Sequence, residues 1–415
     1  MRALLAFAAL FLSVALVQLG SGALGPLDAL SGDAAGFTTG EIGLLGSAHF
    51  AGFFLGCWLA PRITGSAGHS RAFAVFAAAG AIGALAHPIW VDATFWAGLR
   101  VFSGLAVAGA YTVIESWMQA KVTNASRGRV LGVYRVVDLV ASIGAQAMIA
   151  VLPPGAYVSY NIVAMLCCLC LVPLAVTTAT PPPAPHAPRL RPLAAVRLSP
   201  LGAAGVFTAG ITIPAFRMVG PVYGLEVGLS AEGLALFLAA ALTGGAAAQL
   251  PAGWLSDRYD RRRVLIGVSA AAVAVCLGIA AAGATSVTAV YAGAFAFGLV
   301  AFPIFSISAA HANDFAEPDG VVELNAALMF VYATGAVLSP LVAATLIDAL
   351  GAPALFLFVA AAHVALAGIG GWRLLRGRAA ARRTPYRYTP RTSFVLARLL
   401  RRRDDGAGGG SQGGG

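Results

Sequence analysis

Twelve apolar runs divide this chain, near residues 3–25, 41–60, 72–91, 94–118, 129–152, 157–178, 199–222, 232–255, 264–284, 287–310, 322–347 and 353–374. Each is close to the ~20 residues an α-helix needs to cross a hydrocarbon core. The 415 residues are 59% hydrophobic and only 11% charged, with a mean hydropathy of +0.82. No soluble domain buries that much apolar surface, so the sequence predicts an all-α polytopic membrane protein. The first run has the look of a signal peptide, with Met1-Arg2 before it and Ser21-Gly22-Ala23 at its end. Its apolar core is longer than the 7–15 residues of such peptides, and the symmetric count needs it as a span.

The charges sort by side. Arg2, Arg62, Arg71, Lys121, Arg127, Arg129, Arg189, Arg191, Arg197, the group Arg258–Arg263 and the tail arginines fall in alternate connections or at the termini. The opposite connections hold Asp28, Asp33, Glu41, Asp92, Glu226, Glu232 and Asp348, with no Lys or Arg. The formal charge of +10 is therefore topological rather than a nucleic-acid footprint. It predicts both termini in the cytoplasm of a bacterial inner membrane protein. Thr38 with Glu41 forms a capping-box start for the second span. The five cysteines lie in apolar runs without metal-ligand company, and no metal or cofactor is expected.

The chain also repeats. Gly25-Pro26 is read as the close of the first helix and Gly220-Pro221 as the close of the seventh, 195 residues on. The repeat predicts a six-helix bundle over 1–178, a Pro-rich linker over 179–198, a second bundle over 199–376 and a basic tail over 377–415. Within the tail, Arg391–Arg403 mixes arginines with Phe394, Leu396 and Leu399, as either an amphipathic helix on membrane lipids or a solvated tail.

A knot of two acids and four arginines joins the eighth and ninth runs: Gly253-Trp254-Leu255-Ser256-Asp257-Arg258-Tyr259-Asp260-Arg261-Arg262-Arg263. This G-x-L-x-D-R-x-x-R-R-R pattern resembles the loop motif of the major facilitator superfamily of secondary transporters. A weaker copy lies 196 residues earlier, with Leu59 matching Leu255, Arg62 matching Arg258, and Pro61 where Asp257 stands. Tyr111–Trp117 with Arg127-Gly128-Arg129, Gly68–Phe73, and His311–Asp314 with Glu317-Pro318 are similar to the bacterial YcaD-like branch of that superfamily. The resemblance implies two pseudo-symmetric six-helix halves, a cavity between them and a gate built on the loop motif. Arg62, Gly253, Asp257, Arg258 and Arg262 match the motif, and Arg127 and Arg129 flank the helix start that Asp257 is expected to reach. With no acid at Pro61, Arg62 is expected to turn to Glu323 or Asp319.

Intramembrane charge is costly and marks function. Arg100 lies about 9 Å inside the fourth helix, and Asp138 about 15 Å inside the fifth, at ~1.5 Å per residue. Arg100–Gly104 resembles the superfamily's R-x-x-x-G motif of proton-coupled members. The sequence predicts an Arg100–Asp138 salt bridge, either static or switching, with Arg135 on the face of Asp138. A carboxylate whose arginine leaves in one state takes up a proton there and releases it in the other. Glu115 is the next candidate. Gln18, Tyr111, Gln146, Arg217 and Gln249 are polar positions on helices that line the cavity in relatives. The antiporter pattern G-x-x-x-G-P is replaced by Ser142–Gln146. No G-x-x-x-x-G-K-[ST] or H-E-x-x-H occurs. The expectation is a secondary transporter of a small solute, coupled to protons and working by alternating access, and not an enzyme. The alternatives are an uncoupled facilitator and a transporter-like receptor acting through its tail.

Overall fold

The computed structural model describes residues 7–122, 127–176, 192–283, 286–317 and 320–376, and among them every regular element is helical. The first half holds α1 (Ala8–Ala34), α2 (Thr39–Ala67), α3 (His69–Ala86), α4 (Ala93–Lys121), α5 (Arg127–Ile149) and α6 (Tyr157–Leu169, continued by Leu171–Val176). The second holds α7 (Pro200–Glu226), α8 (Ala231–Arg258), α9 (Arg261–Ala282), α10 (Val287–Ala301, continued by Ile304–Asn313), α11 (Val321–Leu350) and α12 (Ala354–Arg376). A short helix, Pro192–Leu198, precedes α7. Among the described residues twelve helices are long and apolar enough to cross a membrane, and the chain is a multi-pass membrane protein of two six-helix halves. The tail, including Arg391–Arg403, and most of the expected linker lie outside the described residues.

Polar side chains set the helix starts. Thr38 and Glu41 form the expected capping box, and Asp92, Ser199, Ser230, Asp260 and Ser286 each accept from a backbone N–H in the first turn that follows. Prolines do not end the helices as expected. α1 runs nine residues past Gly25, and α7 runs through Gly220-Pro221 to Glu226. Proline at i lacks the N–H that would bond the carbonyl of i−4, so Pro26 frees Gly22 O and Pro214 frees Gly210 O. Neighbouring helices supply the replacements. Gln146 Nε2 of α5 lies 3.4 Å from Gly22 O, and Ser339 Oγ of α11 donates to Gly210 O at 3.2 Å. A bundle interior tolerates such breaks when another helix re-satisfies the carbonyl.

This correction moves the acids. Asp28, assigned to a connection, lies inside α1 and is buried; Asp33, Glu41, Glu226, Glu232 and Asp348 are also helical, near helix ends.

Within each half, glycines bring helices into backbone contact. A Cβ on Gly52 of α2 would strike the Val101 carbonyl of α4, and one on Gly104 of α4 would strike His49 O. The second half repeats the device. Gly244 of α8 faces Phe295 O of α10, and Gly298 of α10 faces Ala241 O. The halves meet along antiparallel α2 and α11. Gly40 N donates to Asp348 Oδ2 at 3.0 Å, Leu341 N donates to Ser47 Oγ at 3.1 Å, and Gly43 and Gly46 lie against Ala344 and Pro340.

Candidate functional site

Three buried polar groups from three helices meet in the first half. Tyr111 of α4 places its hydroxyl 2.5 Å from Gln18 Oε1 of α1 and 2.7 Å from Asp138 Oδ1 of α5. All three side chains are buried. A phenol carries one hydrogen, so it cannot donate to both acceptors at once. Turning the Gln18 amide over would present its NH2 to the hydroxyl. With the amide turned, the hydroxyl accepts from Gln18 and donates to Asp138, and both contacts are satisfied.

One turn along α4, Glu115 is buried and accepts from the Tyr134 hydroxyl of α5 at 2.8 Å. Arg135 stacks its guanidinium 5.0 Å from the Tyr134 ring centroid. The sequence placed Arg135 and Asp138 on one face of α5 and Glu115 near the inner end of α4; the structure sets Asp138 against Tyr111 and Glu115 against Tyr134.

Arg100 does not pair with Asp138. Its Nη1 lies 3.4 Å from Asp28 Oδ2, with both side chains 2% exposed. Asp28 was missed because α1 was ended at Gly25-Pro26. The available signal was Arg100 itself, since a cation one-third of the way into a span needs an acid at the same depth. His87 completes this cluster. Its Nδ1 lies 2.7 Å from Gly83 O, and a carbonyl only accepts, so Nδ1 carries hydrogen. Nε2 faces Asp28 Oδ2 at 3.4 Å. Tyr160 stacks on the imidazole at 5.0 Å, and Trp96 meets it edge-on at 5.1 Å. Arg100 also reaches across the halves, Nη2 lying 3.7 Å from Met218 Sδ of α7.

The remaining expected positions separate. Gln146 and Arg217 come together in a small cavity beside Pro26 and Phe216. Gln249 Nε2 turns back to Gly245 O of its own helix at 3.3 Å. At the loop motif, buried Arg261 is the hub: it bonds Ser256 O, Ala310 O, Asp314 at 2.5 Å and Asp257 at 3.1 Å. Arg262 pairs with Asp260 at 2.8 Å. Arg129 is exposed, Gly253 is buried in α8, and the side chain of Arg127 lies outside the described residues.

Arg62 does not pair with Glu323; Asp319 lies outside the described residues. Arg62 Nη1 donates to Trp58 O at 2.6 Å, and the guanidinium sits 4.1 Å above the Trp58 ring centroid. Arg258 over Trp254, at 5.5 Å, repeats the arrangement 196 residues later. The branch-like stretches prove to be pins. His69 Nε2 meets Ser116 Oγ at 3.0 Å, tying α3 to α4, and Asp314 ties α10 to α9 through Arg261.

A cavity of about 610 Å³, part of it open to solvent, lies between α2 and α11 and so between the halves. Phe50, Phe54, Phe330, Met329 and Tyr332 line it, and Trp58 and Arg62 stand exposed at its rim. It occupies the Arg62 end, opposite the Gly40–Asp348 contact.

A family model described as Major Facilitator Superfamily matches residues 202–404. An uncharacterized MFS-type transporter of Enterobacter sp. is 26% identical over 324 residues, covering 78% of this chain and 84% of that one. The uncharacterized MFS-type transporter YcaD of Escherichia coli is 24% identical over 325 residues, with the same coverage. Among solved structures, a point mutant of the nucleoside transporter NupG superposes with a TM-score of 0.76 at 14% identity, over 89% of this chain and 99% of that one. A bacterial homologue of the human lysosomal transporter Spinster, inward-facing and unoccupied, gives 0.66 at 15% identity, over 96% and 98%. The Escherichia coli fucose:proton symporter FucP, as a point mutant, gives 0.55 at 16% identity, over 90% and 99%. The likeness carried by the loop motif and the YcaD-like stretches is thus found again across most of the chain.

Proposed function

We propose that this chain, which has the fold and the sequence likeness of major facilitator superfamily transporters, carries a small solute across the bacterial inner membrane by alternating access, coupled to protons. The observation that carries the reading is the cavity between the halves, with side-chain and backbone contacts across Gly40, Gly43, Ser47 and Asp348 at one end and exposed Arg62 at the other. A cavity reached from one end, between two stiff halves, is the arrangement that rocking converts into transport. The arginine-rich connections orient the Arg62 end and both termini toward the cytoplasm.

Asp138 is the coupling site in this reading. It is a buried carboxylate near the middle of its span, held by the Tyr111 hydroxyl at 2.7 Å. The Asp28–Arg100 pair takes the part of an outer latch, since Arg100 also touches the second half. That FucP, a proton symporter, has this fold is in keeping with proton coupling.

The test is reconstitution into vesicles loaded with a pH-sensitive dye. Solutes are added singly, with and without an imposed pH gradient. A coupled substrate moves protons with it and accumulates when the gradient is applied. Uptake that runs only to equilibration, indifferent to the gradient, would make the protein an uncoupled facilitator.

A further inference from the structure

The wall of the inter-half cavity is unlike a surface built for a sugar or nucleoside. Such solutes carry many hydroxyls, each of which loses water on entry and needs a partner. Here the lining is dominated by Phe50, Phe53, Phe54, Phe330 and Met329, and one pair, Phe54 against Phe330, meets edge-to-face at 5.1 Å across the halves. A surface of this kind rewards a flat apolar ring, by burial and by edge or offset stacking.

One charge stands on that wall, Arg62. In the second half the equivalent Arg258 is preceded by Asp257; in the first half Pro61 stands there. Arg62 has no acid beside it and forms no ion pair among the described residues. Of its five N–H donors, one is used on Trp58 O. The ring of Trp58 holds the guanidinium plane, leaving the other donors in the fork geometry that grips a carboxylate. Among the described residues Arg62 is thus a cation without an ion-pair partner at the mouth of an aromatic cavity.

We infer that the cavity takes a planar aromatic acid, its ring against Phe54 and Phe330 and its carboxylate on Arg62. The inference rests on the transporter reading above and names the substrate class for it.

The test uses three probes with one ring and three charges: indole-3-acetate, its neutral amide, and tryptamine. Binding to the full chain in nanodiscs is measured beside uridine and L-fucose. Indole-3-acetate binds tightest, by roughly tenfold over the amide. Arg62→Gln removes that preference, bringing acid binding down to that of the amide. Phe330→Ala weakens acid and amide together, by tenfold or more. The chain's folding is followed by size-exclusion and thermal unfolding, and Arg62→Lys, which keeps the charge, retains part of the preference. Tighter binding of tryptamine or of uridine overturns the inference, as does no binding of the acid or an acid preference that survives Arg62→Gln. Counterflow in vesicles separates the two readings. Acid binding without counterflow sinks the transporter and leaves the cavity assignment standing; counterflow of uridine without acid binding does the reverse.

Discussion

Arg100 of α4 and Asp28 of α1 form a buried pair, Nη1 to Oδ2 at 3.4 Å, while the other terminal nitrogen of Arg100 touches Met218 of α7. One residue therefore joins two helices of its own half and one of the other. Charge this deep is kept only where its partner is also held.

Removing one member of that pair strands the other. Asp28→Asn and Arg100→Gln each lower stability by about 3–5 kcal/mol, the cost of an uncompensated buried charge. The double variant loses less than the sum, because the stranded charge is gone. Thermal unfolding of the three proteins checks this; strictly additive losses would show that the pair is not coupled.

Asp138→Asn separates coupling from folding. The variant is a folded protein that exchanges solute across vesicles and fails to concentrate it against a gradient. Full gradient-driven accumulation by the variant transfers the role to Glu115, and aggregation on expression marks the Tyr111–Asp138 contact as a static fastening.

Ser339→Ala leaves Gly210 O without its donor and costs about 1–3 kcal/mol. In a Pro214→Ala background the loss shrinks, because residue 214 then carries the N–H that bonds the carbonyl of residue 210 within the helix. A full-sized loss in both backgrounds would mean that Ser339 acts elsewhere.

Gly52→Ala forces α2 and α4 apart at the Val101 carbonyl, and no monodisperse protein is expected. Gly65→Ala, on the same helix with open space around it, is tolerated and stabilises slightly, by up to about 1 kcal/mol. Similar behaviour of the two, by size-exclusion after purification, would refute the close contact.

The spans were legible because crossing a membrane demands length and apolarity, and both are local properties of sequence. The cap at Thr38 was legible for the same reason: its four residues are contiguous. Asp28 was not, because a glycine-proline step ends a helix in water and merely frees a carbonyl in a bundle, where Gln146 waits 124 residues away. The pairing of Arg100 followed from that one misplaced boundary. Tyr111 and Asp138 were each suspected, yet nothing in their 27-residue separation says that one hydroxyl serves both Asp138 and Gln18. The repeat of Trp58–Arg62 at Trp254–Arg258 was printed in the chain, but its geometry, a cation laid on a ring one turn back, belongs to the folded helix.

The glycines at Gly52, Gly104, Gly244 and Gly298 have a mechanical consequence. Two helices touching backbone to backbone cannot roll about their own axes without collision, so α2–α4 and α8–α10 behave as two stiff beams. Compliance survives only along seams where side chain meets side chain, and Phe54 against Phe330 is such a seam. A solute lodged there sits at the joint of the machine, where a small wedge has the greatest leverage.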